Sequence, residues 1–169
     1  MDIQDLQDDR RSDLQFGEIT EKIIGCAFEV INVLGTGFLE SVYENALAIA
    51  LQDKGLRVQC QHPIHVHFRQ RIVGEFYADL FVEGNVIVKL KVAKAIAPEH
   101  QAQIINYLKA TGIEVGLLIN FGNPKLEYKR FTRHKCINQR IEIILYILSI
   151  HVHSFCSKNY ASVLIRINR

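Results

Sequence analysis

The sequence has few cysteines and no long apolar run, and both features exclude large classes of protein. Its cysteines, Cys26, Cys60, Cys136 and Cys156, form no CxxC pair and no regular series. They therefore predict neither a zinc site nor a disulfide framework, and we interpret them as reduced, buried thiols of a cytoplasmic protein. The longest nearly apolar run, IILYILSIHV, is too short for a membrane-spanning helix, which needs about 20 apolar residues. The polar start MDIQDLQDDRRSD is unlike a secretory signal, so we expect a soluble protein without a membrane partner.

The short motifs of several enzyme classes are missing as well. The sequence contains no GxxxxGK[ST] or GxGxxG phosphate-binding loop and no GxSxG nucleophile elbow. Two His-x-His pairs, at 65/67 and 151/153, have no third ligand at a spacing typical of a transition-metal site. No repeat, low-complexity tract or Pro/Gly-rich linker divides the 169 residues, so the length fits one domain.

The net charge of the chain is +2 at pH 7, but the charged residues are unevenly distributed along it. Residues 1–123 carry 11 basic and 16 acidic side chains, whereas residues 124–169 carry 9 basic and 2 acidic ones. A basic segment can contact nucleic-acid phosphates, and it can equally be a solvated surface. Charge alone leaves both interpretations open.

Hydrophobic periodicity predicts three helices. Apolar residues recur at steps of three and four over residues 18–34 and again over 39–51, which is typical of amphipathic helices. Gly35 and Gly55 follow as natural stops. A third helix is predicted from Pro98, which can occupy a first helical turn, to the stop at residue 112.

Strand patterns separate these helices. Strands are predicted at 56–60, at 64–82 with a hairpin turn in the RQR tripeptide, and at 85–92. A nearly all-apolar strand, buried on both faces, is predicted at 114–121. The order of elements predicts a mixed β-sheet flanked by α-helices.

The segment FYADLFVEGNVIVKLKVAK contains the first candidates for chemistry. Asp79 is surrounded by apolar residues in a predicted central strand, where a carboxylate is costly to bury unless it binds a metal, a cation or several donors. A turn at Gly84 brings the next strand back toward it, and Lys89 and Lys91 alternate along that strand, so both point to one face. The alternative is a plain Asp79–Lys91 salt bridge.

Two helices offer further candidates. In GTGFLESVYENAL, Glu40 and Tyr43 are neighbours on the helix surface, with Glu40 in the first turn. The alternative is that Glu40 only complements the helix N-terminus while Tyr43 packs. In the third helix, Gln103 and Tyr107 are four residues apart and share a face.

Together these segments resemble the family named for its GxxExxY motif, within the PD-(D/E)XK nuclease-like superfamily. The motif stands here as Gly37, Glu40 and Tyr43, and the resemblance continues through ADLFVEGNVIVKLKV, PEHQAQIINYLKATG, VGLLINFG and KRF. It implies an α/β fold, with a restriction-endonuclease-like mixed β-sheet flanked by α-helices. It divides the chain into an acidic N-terminal segment (1–17), the nuclease-like domain (18–131) and a C-terminal extension (132–169). The extension has no assigned role, is expected to pack on the same domain, and has an apolar pattern that fits a helix or strands equally.

The resemblance also implies roles for the candidates. In the superfamily, a strand aspartate and a Glu-x-Lys on the adjoining strand hold Mg²⁺ and a water beside the scissile phosphate. The metal ligands implied here are Asp79 and Glu40, with Mg²⁺ as the ion and Mn²⁺ as an alternative. The implied catalytic residues are Lys91, Asp79, Glu40 and Gln103. The implied substrate-binding residues are Lys89, Tyr43 and Tyr107.

The sequence departs from the family pattern at Lys89, which stands in VKLKV where VELKV is expected. A cation replaces a metal-binding anion, and at about 4 Å and an effective dielectric constant of about 20 each unit charge is worth about 4 kcal/mol. Metal binding is therefore expected to be weak or absent if Lys89 blocks the site. Three hypotheses follow: an active Mg²⁺-dependent nuclease, a nuclease fold that binds DNA or RNA without cleaving it, and a protein-interaction module. Self-association into a homo-oligomer is left open.

Overall fold

Three helices and five strands make up the described part of the chain. The computed structural model describes the backbone of residues 3–133 and the side chains of residues 16–133. The helices are α1 (Ile3–Leu34), α2 (Glu40–Asp53) and α3 (Pro98–Thr111). The strands are β1 (Val58–Phe68), β2 (Arg71–Val82), β3 (Val86–Lys91), β4 (Val115–Asn120) and β5 (Glu127–Thr132). Nearly all of the predicted C-terminal extension, with its two cysteines and the His-x-His pair at 151/153, lies outside the described residues.

The strands form one sheet in the order β1-β2-β3-β4-β5. Neighbouring strands are antiparallel except β3 and β4, which run parallel. A parallel pair needs a crossover, and α3 supplies it between these two strands. The mixed sheet with flanking helices confirms the predicted architecture.

Helices cover both faces of the sheet. Alternate residues of β4 belong to different core clusters, because Leu117 and Ile119 pack with α1 and α2 whereas Leu118 packs with Ile104 of α3. A Cβ at Gly116 would lie 2.9 Å from the Ile104 side chain, so α3 packs closely over this strand. None of the helices in the described residues is long and apolar enough to cross a membrane.

The first helix is longer than its predicted span. It begins at Ile3 rather than at residue 18 and passes through the segment predicted as separate. Residues 3–17 contain no proline, the residue that most strongly breaks a helix interior. The helix ends where predicted, because Gly35 adopts a left-handed φ of 71° and its N–H donates to the Ile31 carbonyl.

The hairpin between β1 and β2 confirms the predicted turn and corrects the predicted strand. Phe68 pairs with Arg71, and the two residues between them have φ values of 47° and 64°, as a two-residue hairpin turn requires. β1, however, continues through residues 61–63, which were predicted as a break between two strands. The hairpin is therefore longer than the sequence pattern indicates.

Candidate functional site

Asp79 lies in β2, where 7% of the residue is exposed, and it has a donor for each carboxylate oxygen. Lys89 Nζ lies 2.5 Å from Asp79 Oδ1, with side-chain exposures of 12% for the lysine and 10% for the aspartate. The backbone N–H of Leu90 donates to Asp79 Oδ2 at 2.6 Å. These two contacts offset the cost of burying the carboxylate.

The register of β2 and β3 brings Asp79 to these donors, because the pair Leu80–Val88, continued by one residue, sets Asp79 across from Lys89. The recorded pairs stop at Leu80 and Val88, so Asp79 lies one residue beyond the last pair. There its side chain, rather than a backbone carbonyl of β2, accepts the N–H of Leu90.

The β1 backbone is distorted directly opposite Asp79. The residues on either side of Gln61 pair with the residues on either side of Asp79, so the two lie across from each other. Gln61 has a φ of 49°, a left-handed value that residues other than glycine adopt infrequently. Its Nε2 lies 2.8 Å from each carboxylate oxygen of Glu44 in α2. The distorted residue thus links the sheet to α2 beside Asp79.

Glu40 and Lys91 form a second, looser ion pair. Lys91 Nζ lies 3.6 Å from Glu40 Oε1, and the side chains are 18% and 43% exposed. The alternative of a plain Asp79–Lys91 salt bridge is therefore wrong for this structure, because Asp79 pairs with Lys89 and Lys91 pairs with Glu40.

Glu44 is a site residue that sequence reasoning did not select. The pKa of the Glu44 carboxyl is raised, and burial is the largest cause. The Gln61 hydrogen bond and the charge of Lys89 lower this pKa, whereas the charges of Asp79 and Glu40 raise it. The available signal was its position one helical turn after Glu40. We refer to five side chains as the carboxylate–lysine cluster: Glu40, Glu44, Asp79, Lys89 and Lys91.

The raised pKa of Glu44 predicts a pH-dependent stability. Because the folded-state pKa lies above the ordinary value of 4.5, stability is fully present below pH 4.5 and falls as pH rises through the folded-state pKa. Glu44→Gln is expected to remove this part of the fall. Urea unfolding at a series of pH values from 4 to 7 measures it, with the exposed Glu21→Gln on α1 as control. Parallel pH profiles for the parent and Glu44→Gln would contradict the prediction.

The described residues do not fit the Mg²⁺ implied by the resemblance. Mg²⁺ binds oxygen ligands in a near-octahedral arrangement, but both oxygens of Asp79 already accept hydrogen bonds from protein donors. No group of three or more His, Cys, Asp or Glu side chains among the described residues is arranged to hold a metal ion. Asp79 and Glu40, the implied metal ligands, each form an ion pair with a lysine instead.

Tyr43 lies in the core and secures the loop that precedes α2. The residue is 0% exposed, and its ring stacks on Phe121 with centroids 4.7 Å apart. Its hydroxyl donates to the Gly35 carbonyl at 2.9 Å and accepts the Phe38 N–H at 3.3 Å. Between them, Gly37 has a φ of 105°, which favours glycine. The structure gives the Gly and Tyr of the motif a structural role, and contact of Tyr43 with substrate stays a prediction.

Gln103 and Tyr107 are brought together on α3. Gln103 Nε2 donates to the Tyr107 hydroxyl at 2.9 Å, and Tyr107 is 4% exposed. Both line a cavity of about 580 Å³ between α3 and the β1–β2 hairpin, which we call the α3 cavity. Other residues that line it include Val66, His67, Phe76, Asn106 and Lys109. The catalytic role of Gln103 and the substrate contact of Tyr107 stay predictions.

Comparison with known proteins identifies a family. The family model of the PD-(D/E)XK nuclease superfamily matches residues 17–131. No curated protein matches the chain.

Similar solved structures include the crystal structure of SSO0001, which is 11% identical with a TM-score of 0.45, over 63% of this chain and 58% of that one. The alkaline exonuclease LHK-Exo from Laribacter hongkongensis is 14% identical with a TM-score of 0.41, over 78% of this chain and 91% of that one. The same values hold for LHK-Exo in complex with dAMP.

The family match extends over more than half of the chain and includes every helix and strand that positions the carboxylate–lysine cluster. The mixed sheet with helices on both faces agrees with the predicted restriction-endonuclease-like fold. The narrower assignment to the GxxExxY family stays a prediction. The chain belongs to the PD-(D/E)XK nuclease superfamily.

Proposed function

We propose that this nuclease-fold protein binds nucleic acid at the carboxylate–lysine cluster without cleaving it. The observation that carries the proposal is the 2.5 Å contact between Lys89 Nζ and Asp79 Oδ1. In the superfamily pattern this aspartate holds the metal, and here a cation of the protein itself neutralises it.

Displacing Lys89 by a metal ion would be costly. The lysine side chain is 12% exposed, and an ammonium group left without its anion in such surroundings is strongly destabilising. A divalent ion would also have to approach a lysine that stays nearby, and like charges repel. The superfamily reaction requires a bound metal that activates water. Because Lys89 occupies Asp79, a metal ion cannot readily bind there.

Lys91 is better placed to contact a phosphate. Its ammonium group lies 3.6 Å from Glu40 Oε1, beyond ordinary hydrogen-bond distance, and the Glu40 side chain is 43% exposed. Because this pair is longer than the Asp79–Lys89 pair and its carboxylate is more exposed, Lys91 can exchange Glu40 for a phosphate oxygen at a lower cost than Lys89 could leave Asp79. Lys89, by contrast, is engaged in a short and mostly buried pair.

A combined binding and cleavage experiment tests the proposal. A labelled panel of single- and double-stranded DNA and RNA is incubated with the protein in Mg²⁺, in Mn²⁺ and in chelator. We expect retention on a gel in all three conditions, affinity that falls steeply with salt, and no cleavage products. Lys91→Ala should weaken binding and reduce the salt slope by about one, whereas Lys125→Ala, an exposed lysine outside the cluster, should not.

Two results would contradict the proposal. Products that require Mg²⁺ or Mn²⁺ and disappear in Lys91→Ala would show a working nuclease that tolerates Lys89. Absence of both binding and cleavage across the panel would favour the protein-interaction module.

A further inference from the structure

The α3 cavity contains an aromatic ring that a flat ligand can reach. Phe76 is 46% exposed and lines the cavity, with its ring centroid 5.9 Å from that of the largely buried Tyr107. Tyr107 therefore supports the ring on one side. Every nucleobase has a π-face that can stack on an aromatic side chain.

Two carboxamides lie on the α3 side of the same cavity. Gln103 and Asn106 are three residues apart on the helix and both line the cavity, which places them on one face. The Gln103 amide is oriented by its hydrogen bond to the Tyr107 hydroxyl. Each carboxamide carries both donors and an acceptor, the combination that reads the edge of a nucleobase.

The surroundings of the cavity are basic. Lys109 and His67 line it, and the β1–β2 hairpin, which contributes His67 and Phe76 to the lining, carries the exposed Arg69 and Arg71 at its turn. The single acidic residue between positions 62 and 77 is Glu75. The arrangement complements the phosphates that accompany each base, and the volume of about 580 Å³ is within the range of small-ligand sites.

We infer that the α3 cavity binds an unpaired base of single-stranded nucleic acid. Phe76 stacks on the base, Gln103 and Asn106 bond to its edge, and Lys109 contacts a flanking phosphate. A base within a duplex is stacked and paired, so it cannot enter such a cavity unless it is extruded at a cost. The inference rests on the proposed function and adds the strandedness of the ligand.

Fluorescence anisotropy with short labelled single strands of DNA and RNA, and with the matching duplexes, tests the inference on the full chain. Phe76→Leu and Asn106→Ala change partly or fully exposed positions and should leave the fold intact, which circular dichroism checks. Both are expected to lower affinity for the single strand, Phe76→Leu by at least about fivefold given the usual strength of base stacking. Affinity for the duplex should be unchanged.

A matched variant and a matched ligand separate the possible results. Phe28→Leu makes the same substitution at a ring of similar exposure, 41%, on α1, and should have no effect on single-strand affinity. A single strand with abasic positions should bind the parent more weakly and be insensitive to Phe76→Leu. Equal single-strand affinities for the parent, Phe76→Leu and Asn106→Ala would overturn the inference and leave the proposed function standing. Absence of binding to every nucleic acid by the parent would overturn both.

Discussion

Asp79→Ala is expected to lower the free energy of unfolding by about 3–5 kcal/mol, the usual cost of removing one partner from a buried ion pair. The substitution leaves the Lys89 ammonium, at 12% exposure, without its anion. It also leaves the Leu90 N–H, in a buried residue of β3, without the acceptor at Oδ2. Urea unfolding of the parent and the variant at neutral pH measures the loss.

A double-mutant cycle separates the ion pair from the rest of the effect. Lys89→Ala combined with Asp79→Ala should be less destabilising than the sum of the single changes, because neither charge is then left alone. Arg57→Ala is the control, since it breaks an ion pair of similar length, 2.9 Å to Glu83, at an arginine that is 84% exposed. That control should cost much less, because solvent screens an exposed pair. An equally small loss for Asp79→Ala would show that water solvates the Asp79–Lys89 pair.

Lys89→Glu is expected to create or strengthen divalent-ion binding, raising the affinity for Mn²⁺ at least about tenfold. The change replaces the cation beside Asp79 by an anion, with Glu40 and Glu44 in the same cluster. Each unit charge at about 4 Å is worth about 4 kcal/mol at an effective dielectric constant of about 20, and tenfold affinity needs only about 1.4 kcal/mol. Calorimetric titration with Mn²⁺ measures the change directly.

The stability of the same variant gives an independent readout. Without metal, the new carboxylate repels Asp79, so Lys89→Glu should unfold at a lower temperature than the parent. Added Mn²⁺ should restore stability, because an ion that binds only the folded state stabilises it by mass action. Lys89→Gln is the matched control, since it removes the cation without adding an anion. If Lys89→Glu binds Mn²⁺ no better than the parent, the metal site of the family pattern does not lie between Asp79 and position 89.

The two experiments test separately whether Lys89 stabilises the fold and whether it keeps a metal ion out of the site. A large loss in Asp79→Ala shows that the pair with Lys89 contributes to stability. Metal binding by Lys89→Glu shows that the same lysine is what keeps the ion out. Both results together would mean that a metal-binding position has been replaced by an internal ion pair, as the proposed function requires.

Local patterns in the sequence were sufficient to predict much of the fold. Helix and strand periods, the glycine stop at residue 35 and the hairpin turn at 69–70 depend on neighbouring residues, and the structure confirms them. The ordered motifs were also sufficient for the superfamily, since the family model matches nearly the same residues, 17–131. The extent of α1 was underestimated because its first residues lack the apolar period that marks a helix packed on a core.

Only the tertiary structure decided which charges meet. Asp79 pairs with Lys89 rather than Lys91 because the register of β2 and β3, in which Leu80 pairs with Val88, sets Asp79 across from Lys89, and strand alternation alone does not fix that register. Glu44 joins the cluster because Gln61, distant in sequence, reaches it from a distorted strand. Residue types and local spacing are properties of the chain itself, whereas ion-pair partners depend on how separate elements pack, and burial then determines which pairs are strong.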